Sequence, residues 1–500
     1  MTARTVVGPV AKKELRALLP LWAGCALTLA AVALIGDGAL RYIAFVLGCF
    51  ALGAQSLGHE YGHRTLGLLL VQPAPRRRLF AIKFVVLALL LAALTAVAWT
   101  AVFLFAAESI TVRASLWNDS AVLLLGVTGG LVVAPWLTMA TRSALAGVVF
   151  TVALPVMLLI AGDAVGLARG LDAANIDRLK AAVLWRGGAI VALVAAVGCW
   201  HTFMRLEVVD GRGSDIELPR WSRADDRTTG TAERTRERRR PAIWRLIGKE
   251  LRLQEMTFIV TALYLAAWAT LILIGRYSGP TSPSAIAPLT ILYIGAIALL
   301  AGSLASAEER QLDTIEWQTL LPMASWQQWT VKAGIALALA IVIGLGLPLA
   351  LRAAQPAFMA DALARNMRTT AMAVVLLTSS SLYVSSLCSG GIRALMTSLP
   401  FALATNFAIQ FILPLFWWIV LNIYLPTGMG LVRFRSLSEM LTLAAGLGLA
   451  ALLLRLGFTN HRSAERGARR VWRQAVLIVV GYLVLVGGVL GTMMIWLLAR

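Results

Sequence analysis

The chain has 500 residues, of which 59% are apolar and 14% charged, with a net charge of +20. Soluble domains carry about 45–50% apolar and about 25% charged residues. Runs of about 18 or more apolar residues recur along the whole chain, each long enough to cross about 30 Å of hydrocarbon as a helix. The roughly three soluble domains that the length alone would suggest are therefore excluded. Nucleic acid is excluded as a partner too, because most of the cation lies in the connections between apolar runs.

Arg4, Lys12, Lys13 and Arg16 precede the first apolar run, 17–36. That run is too long for a signal peptide, and more spans follow it, so it reads as an uncleaved first span. The remaining predicted spans are 40–57, 84–106, 120–141, 144–167, 184–204, 256–275, 285–305, 333–352, 370–389, 395–425, 437–457 and 474–498, thirteen in all. Pro400 and Pro414 predict a kink or break in the eleventh. With the N-terminus inside, cytoplasmic segments hold 32 of the 45 Lys and Arg residues. The positive-inside rule then places the C-terminus outside. Cys25, Cys49, Cys199 and Cys388 all fall in apolar runs and read as packing residues rather than a disulfide framework.

The chain repeats itself. Lys13-Glu14-Leu15-Arg16 opens the first span, and Lys249-Glu250-Leu251-Arg252 opens the seventh. After the second span stand Glu60, Thr65, Pro73 and Lys83; after the eighth, at identical offsets, stand Glu309, Thr314, Pro322 and Lys332. Basic corners at Arg142 and Arg393 follow the fourth span of each half. The expected fold is all-α: two pseudo-symmetric six-helix transmembrane repeats, 1–204 and 242–457, followed by 458–500, a basic loop with one extra C-terminal span. Six spans is an even number, so the halves share one orientation, as in parallel repeats about an axis along the membrane normal. The linker 205–241 is rich in Arg, Asp, Thr and Gly, without apolar periodicity, and predicts a flexible cytoplasmic connection. Its acids, Glu207, Asp210, Asp215, Glu217, Asp225, Asp226, Glu233 and Glu237, offset much of its positive charge.

Each half opens on an amphipathic stretch. In 243–253, Ile243, Leu246, Ile247 and Leu251 share one helical face and Arg245, Lys249 and Arg252 the other. Such a helix lies in the headgroup plane. In the first half, Val6, Val7 and Val10 do this more weakly, with Pro9 interrupting. The connections Glu60–Lys83 and Glu309–Lys332 mix apolar with polar residues, and each predicts a short surface helix that ends at its proline.

The pattern E-x4-T-L-G-L-L-L-x2-P-x2-R-R-R-x4-K from Glu60 to Lys83, the opening K-E-L-R and the six-span unit together resemble ABC-2-type permeases, the membrane subunits of ABC exporters. The resemblance covers nearly the whole chain apart from the linker and the thirteenth span. It implies an exporter that moves an amphipathic or hydrophobic substrate, such as a drug, antibiotic or lipid-like molecule, out of the cytoplasm. It also implies that the amphipathic openings are elbow helices. Glu60, Thr65, Pro73 and Lys83, with Glu309, Thr314, Pro322 and Lys332, would belong to the segments that couple to an ABC ATPase. No G-x4-G-K-[ST] loop is present in the chain, so no cofactor is expected here. ATP and magnesium would bind the ATPase partner, either two copies or a heterodimer. The two segments differ in charge: Arg64 and Arg76–Arg78 in the first, Glu308, Glu309, Asp313 and Glu316 in the second. That contrast predicts unequal docking.

Two other readings compete. His59-Glu60-Tyr61-Gly62-His63 spells H-E-x-x-H, which on a helix sets His59 and His63 on one face as zinc ligands and Glu60 as general base of a membrane metalloprotease. The chain offers no motif-spaced third ligand, and the repeated copy at Glu309 has no histidine. A His-Glu-Tyr run also resembles the equivalent connection in the G-subfamily of ABC transporters. The third reading is a non-transporting sensor or scaffold of the same architecture.

Polar side chains within spans are candidates for the substrate pathway. Asn406 and Gln410 lie four apart on one face of the eleventh span, Asn422 lies further along, and Gln55 ends the second. The resemblance implies that the second and fifth spans of each half line the path. The serines of the tenth span read as interhelical packing and hydrogen bonding.

Overall fold

A computed structural model describes residues 4–35, 38–62, 65–67, 74–105, 122–206, 242–278, 286–311, 323–354, 366–388, 390–409, 431–463 and 468–498. Among these the regular secondary structure is entirely helical. In chain order the helices are α1 (Arg4–Ile35), α2 (Gly38–Gly62), α3 (Arg76–Phe105), α4 (Val122–Thr141), α5 (Ala144–Ala168), α6 (Ala173–Met204) and α7 (Ala242–Leu253). Then come α8 (Glu255–Ser278), α9 (Ile286–Gln311), α10 (Ser325–Ala354), α11 (Met367–Ser385), α12 (Gly391–Phe407), α13 (Leu431–His461) and α14 (Ala468–Leu498). Eleven of them are long and apolar enough to cross a membrane. The chain is a multi-pass, all-α membrane protein.

Two of the thirteen expected spans do not meet that criterion among the described residues. The tenth is helical as α11, but Arg368, Thr369, Thr370 and the run Thr378–Ser381 make it too polar on composition. Its hydroxyls are buried in protein instead: Thr378 Oγ1 donates to the Val374 carbonyl, Ser381 Oγ to that of Thr378, and Ser385 Oγ accepts the N–H groups of Ser306 and Ala307. The serines act as the packing residues that their spacing suggests. Most of the eleventh span, including Pro414, lies outside the described residues, as do the linker 207–241 and most of both connecting segments.

The first span also differs from expectation. Instead of a separate amphipathic opening, α1 runs unbroken through Pro9 and Pro20. Pro9 is the sixth residue of α1, so it and Pro20 each remove one intrahelical hydrogen bond. Likewise α3 begins at Arg76, earlier than 84, which puts Lys83 inside a helix.

Residue contacts divide the chain into two compact units, residues 1–252 with 269–281, and residues 253–268 with 282–500. In the first unit α2 is the span most enclosed by protein; in the second it is α9. Each is enclosed through the same close approach. A carbon added at Gly53 of α2 would stand 1.9 Å from the Gly130 carbonyl oxygen of α4. One added at Gly302 of α9 would stand 1.9 Å from Ser381 Oγ and 2.6 Å from the Thr378 carbonyl of α11. Small residues let helix backbones meet this closely in a membrane. Gly302→Ala should destabilise the second unit by about 1–3 kcal/mol through overpacking, read as a lowered unfolding midpoint of the purified chain.

In the second unit, Tyr264 and Tyr293 stack with ring centroids 3.9 Å apart, and Tyr293 Oη donates to the Ile343 carbonyl. The extra span α14 is joined to this unit by a buried amide node. Gln474 Nε2 donates to Asn460 Oδ1 at 2.6 Å, and Gln474 Oε1 accepts from Asn460 Nδ2 and Tyr383 Oη, both at 3.1 Å. Asn460 Nδ2 also reaches Ser386 Oγ at 3.0 Å. Gln474→Leu leaves Tyr383 and Asn460 short of partners and should cost about 1–3 kcal/mol, again seen in the unfolding midpoint. The opposite side of α14, with Val476, Leu477, Val480, Leu483 and Val484 exposed, suits lipid.

Candidate functional site: a doubled lysine–glutamate pair

The repeated Glu and Lys lie 23 residues apart, too far to meet along one helix. The fold brings them together by running α3 back beside α2. Lys83 Nζ lies 3.3 Å from Glu60 Oε1, 2.6 Å from Glu14 Oε1 of α1 and 3.4 Å from the Ser56 carbonyl oxygen. In the second unit Lys332 Nζ lies 2.5 Å from Glu309 Oε2 and 2.6 Å from the Ala305 carbonyl oxygen. The offset between Ser56 and Ala305 equals that between Glu60 and Glu309. The sequence repeat is thus a repeated contact: a lysine of the third helix bonded to a glutamate and to a backbone carbonyl one turn earlier in the second.

All four of these ionised side chains are buried. A charge taken out of water is costly unless paired and hydrogen-bonded, and here every one has an opposite partner. In the first unit the pair grows into a cluster. Lys13 Nζ donates to Glu60 Oε1 at 2.9 Å, and Thr65 Oγ1 donates to Glu60 Oε2. The Thr65 backbone N–H also reaches the Glu60 carbonyl at 3.0 Å. Glu60 is therefore a junction. One carboxylate holds the start of the connecting segment (Thr65), the first helix (Lys13) and the third (Lys83).

Pro73, Thr314 and Pro322 lie outside the described residues, and the surface helices expected in both connections do too, apart from a short helical piece at 66–67. Of the pathway candidates, Gln410 and Asn422 also lie outside. Asn406 Nδ2 donates to the Ala402 carbonyl within α12, and the Gln55 carbonyl accepts from His59 Nδ1. Gln55 belongs to the first unit and Asn406 to the second. Sequence reasoning missed Glu14 as a partner of Lys83. The signal was the K-E-L-R motif itself, whose glutamate would be unexplained on a solvated helix face. Glu250, its counterpart, is likewise buried.

The protease reading also meets this geometry. His63 lies outside the described residues. A general base needs a carboxylate whose lone pairs face the water it activates, whereas both oxygens of Glu60 are engaged by Lys13, Lys83 and Thr65.

Residues 33–158 match the family described as ABC-2 family transporter protein. The match covers about a quarter of the chain and includes α2, α3, α4 and most of α5, hence Glu60 and Lys83 but neither Glu14 nor the second copy. Comparison with curated proteins and with solved structures returns no match. Over the stretch that carries the first lysine–glutamate pair, the chain is therefore similar to ABC-2 family transporter proteins.

Proposed function

We propose that the whole chain is the membrane subunit of an ATP-driven exporter of the cytoplasmic membrane, with two fused permease halves and a separate ABC ATPase. The observation that carries this is the doubled pair: each half holds a buried Lys–Glu contact at the end of its most enclosed span, just before a connecting segment. A docked ATPase that moves the segment after Glu60 would pull on Thr65, and through Glu60 on α1 and α3 together. Charged pairs in a low-dielectric setting resist separation, so such a junction passes displacement on as rigid motion of three helices. The apolar character of the spans and the few charges within them favour an amphipathic or lipid-like cargo, entering on the N-terminal, cytoplasmic side.

The test is gentle purification of the tagged chain from its native host, followed by reconstitution in vesicles. A stoichiometric ATP-hydrolysing subunit should co-purify, and its activity should rise with amphipathic substrates. Thr65→Ala, which removes the side-chain bond to Glu60, should lower substrate-stimulated hydrolysis several-fold while leaving the complex assembled. A chain that purifies without any nucleotide-binding partner would remove the basis for this reading.

A further inference from the structure

His59 stands beside the cluster with an orientation that the Lys–Glu pair does not require. Its Nδ1 lies 2.8 Å from the Gln55 carbonyl oxygen. A carbonyl only accepts, so Nδ1 carries a proton, and in the neutral ring Nε2 presents a lone pair. That Nε2 lies 3.3 Å from Glu60 Oε1 and 3.8 Å from Glu14 Oε2. Neither His59 Nε2 nor Glu14 Oε2 has a hydrogen-bond partner, and all three side chains are buried. Donor atoms thus converge from α1 and α2, and of the three only Glu60 Oε1 is already engaged by cations, Lys13 at 2.9 Å and Lys83 at 3.3 Å.

We propose that Glu14, His59 and Glu60 form a binding site for one transition-metal dication of the zinc class. Zinc binds imidazole nitrogen and carboxylate oxygen at about 2.0–2.2 Å, which sets tetrahedral ligand atoms about 3.4 Å apart. The three donor atoms here all lie within 4.8 Å of one another, so small side-chain shifts close the site. The second shell is already in place. The Gln55 carbonyl holds the imidazole as metal-ligating histidines are held, Lys83 engages Glu14 Oε1, and Thr65 engages Glu60 Oε2. One buried imidazole with two buried carboxylates suits zinc and its neighbours better than calcium or magnesium, which take more oxygen ligands. Lys13 is the cation that yields: its side chain is 44% exposed, against 2% for Lys83, and it shares Glu60 Oε1 with the metal position. This site uses Glu60 as a ligand, not as a base, and does without His63. A bound ion would tie α1 to α2 at the end that leads to Thr65.

The test uses the full-length chain, stripped with chelator in detergent and titrated with zinc by calorimetry, with the visible spectrum of bound cobalt as a second readout. One ion per chain should bind, and the cobalt spectrum should show nitrogen–oxygen coordination. His59→Gln and Glu14→Gln should each weaken binding at least tenfold. Lys13→Ala, which leaves every ligand and buried contact in place, should tighten it several-fold and remains informative if the ligand variants fail to fold. No saturable binding, affinity unchanged in Glu14→Gln or in Lys13→Ala, or loss in His63→Gln with Glu14→Gln still binding, would each overturn the proposal.

Discussion

Lys83→Met should lower the stability of the purified chain by about 3–5 kcal/mol, the usual loss when one partner of a buried ion pair is removed. The lysine is buried and answers two carboxylates, Glu14 at 2.6 Å and Glu60 at 3.3 Å, that have little water to fall back on. Lys13→Met should cost no more than about 1 kcal/mol, because that side chain is 44% exposed and its partner keeps Lys83. Adding Glu14→Gln to Lys83→Met should restore much of the loss, since the cluster is then one carboxylate against one lysine. Thermal unfolding followed by tryptophan fluorescence reads all three variants. Strictly additive losses in the double variant would show that the two side chains do not interact energetically.

The second large effect belongs to the other unit. Lys332→Met leaves Glu309 without the 2.5 Å contact in a fully enclosed position and should also cost about 3–5 kcal/mol. Glu309→Gln alone should be comparably damaging, because it removes the carboxylate 2.5 Å from a buried ammonium whose charge the Ala305 carbonyl does not neutralise. The double variant Lys332→Met with Glu309→Gln should lie far closer to the parent, because a buried pair replaced on both sides by uncharged groups is often near neutral. In the proposed exporter its signature would be a folded chain with weakened coupling, which substrate-stimulated ATP hydrolysis distinguishes from simple instability.

Much of the fold was legible because hydrocarbon imposes a length and a composition that read directly from the residues. Where protein rather than lipid surrounds a helix, that rule loses its grip, and α11 shows it: Thr378, Ser381 and Ser385 are satisfied by neighbouring backbone. The repeated Glu60–Lys83 and Glu309–Lys332 spacing was visible as pattern, but a spacing of 23 residues does not say that the two ends touch. Contact depends on α3 turning back along α2, a tertiary fact. The role of Glu14 was hidden for the same reason, since its partner is 69 residues away. Helix starts were least legible. Arg76–Lys83 reads as a polar connection by charge, yet it forms the first two turns of α3, with Lys83 pointed at carboxylates instead of solvent.

The polarity of α11 bears on how the chain is made. A segment carrying Thr378–Ser381 gains less from lipid than its neighbours do and more from protein partners for its hydroxyls. Its hydroxyls find partners in α9, already synthesised, while α13, which packs on it from the other side through Leu449 and Leu453, emerges later. The second half is therefore ordered along the chain: α11 finds its polar partners on a helix made before it and its apolar cover on one made after it.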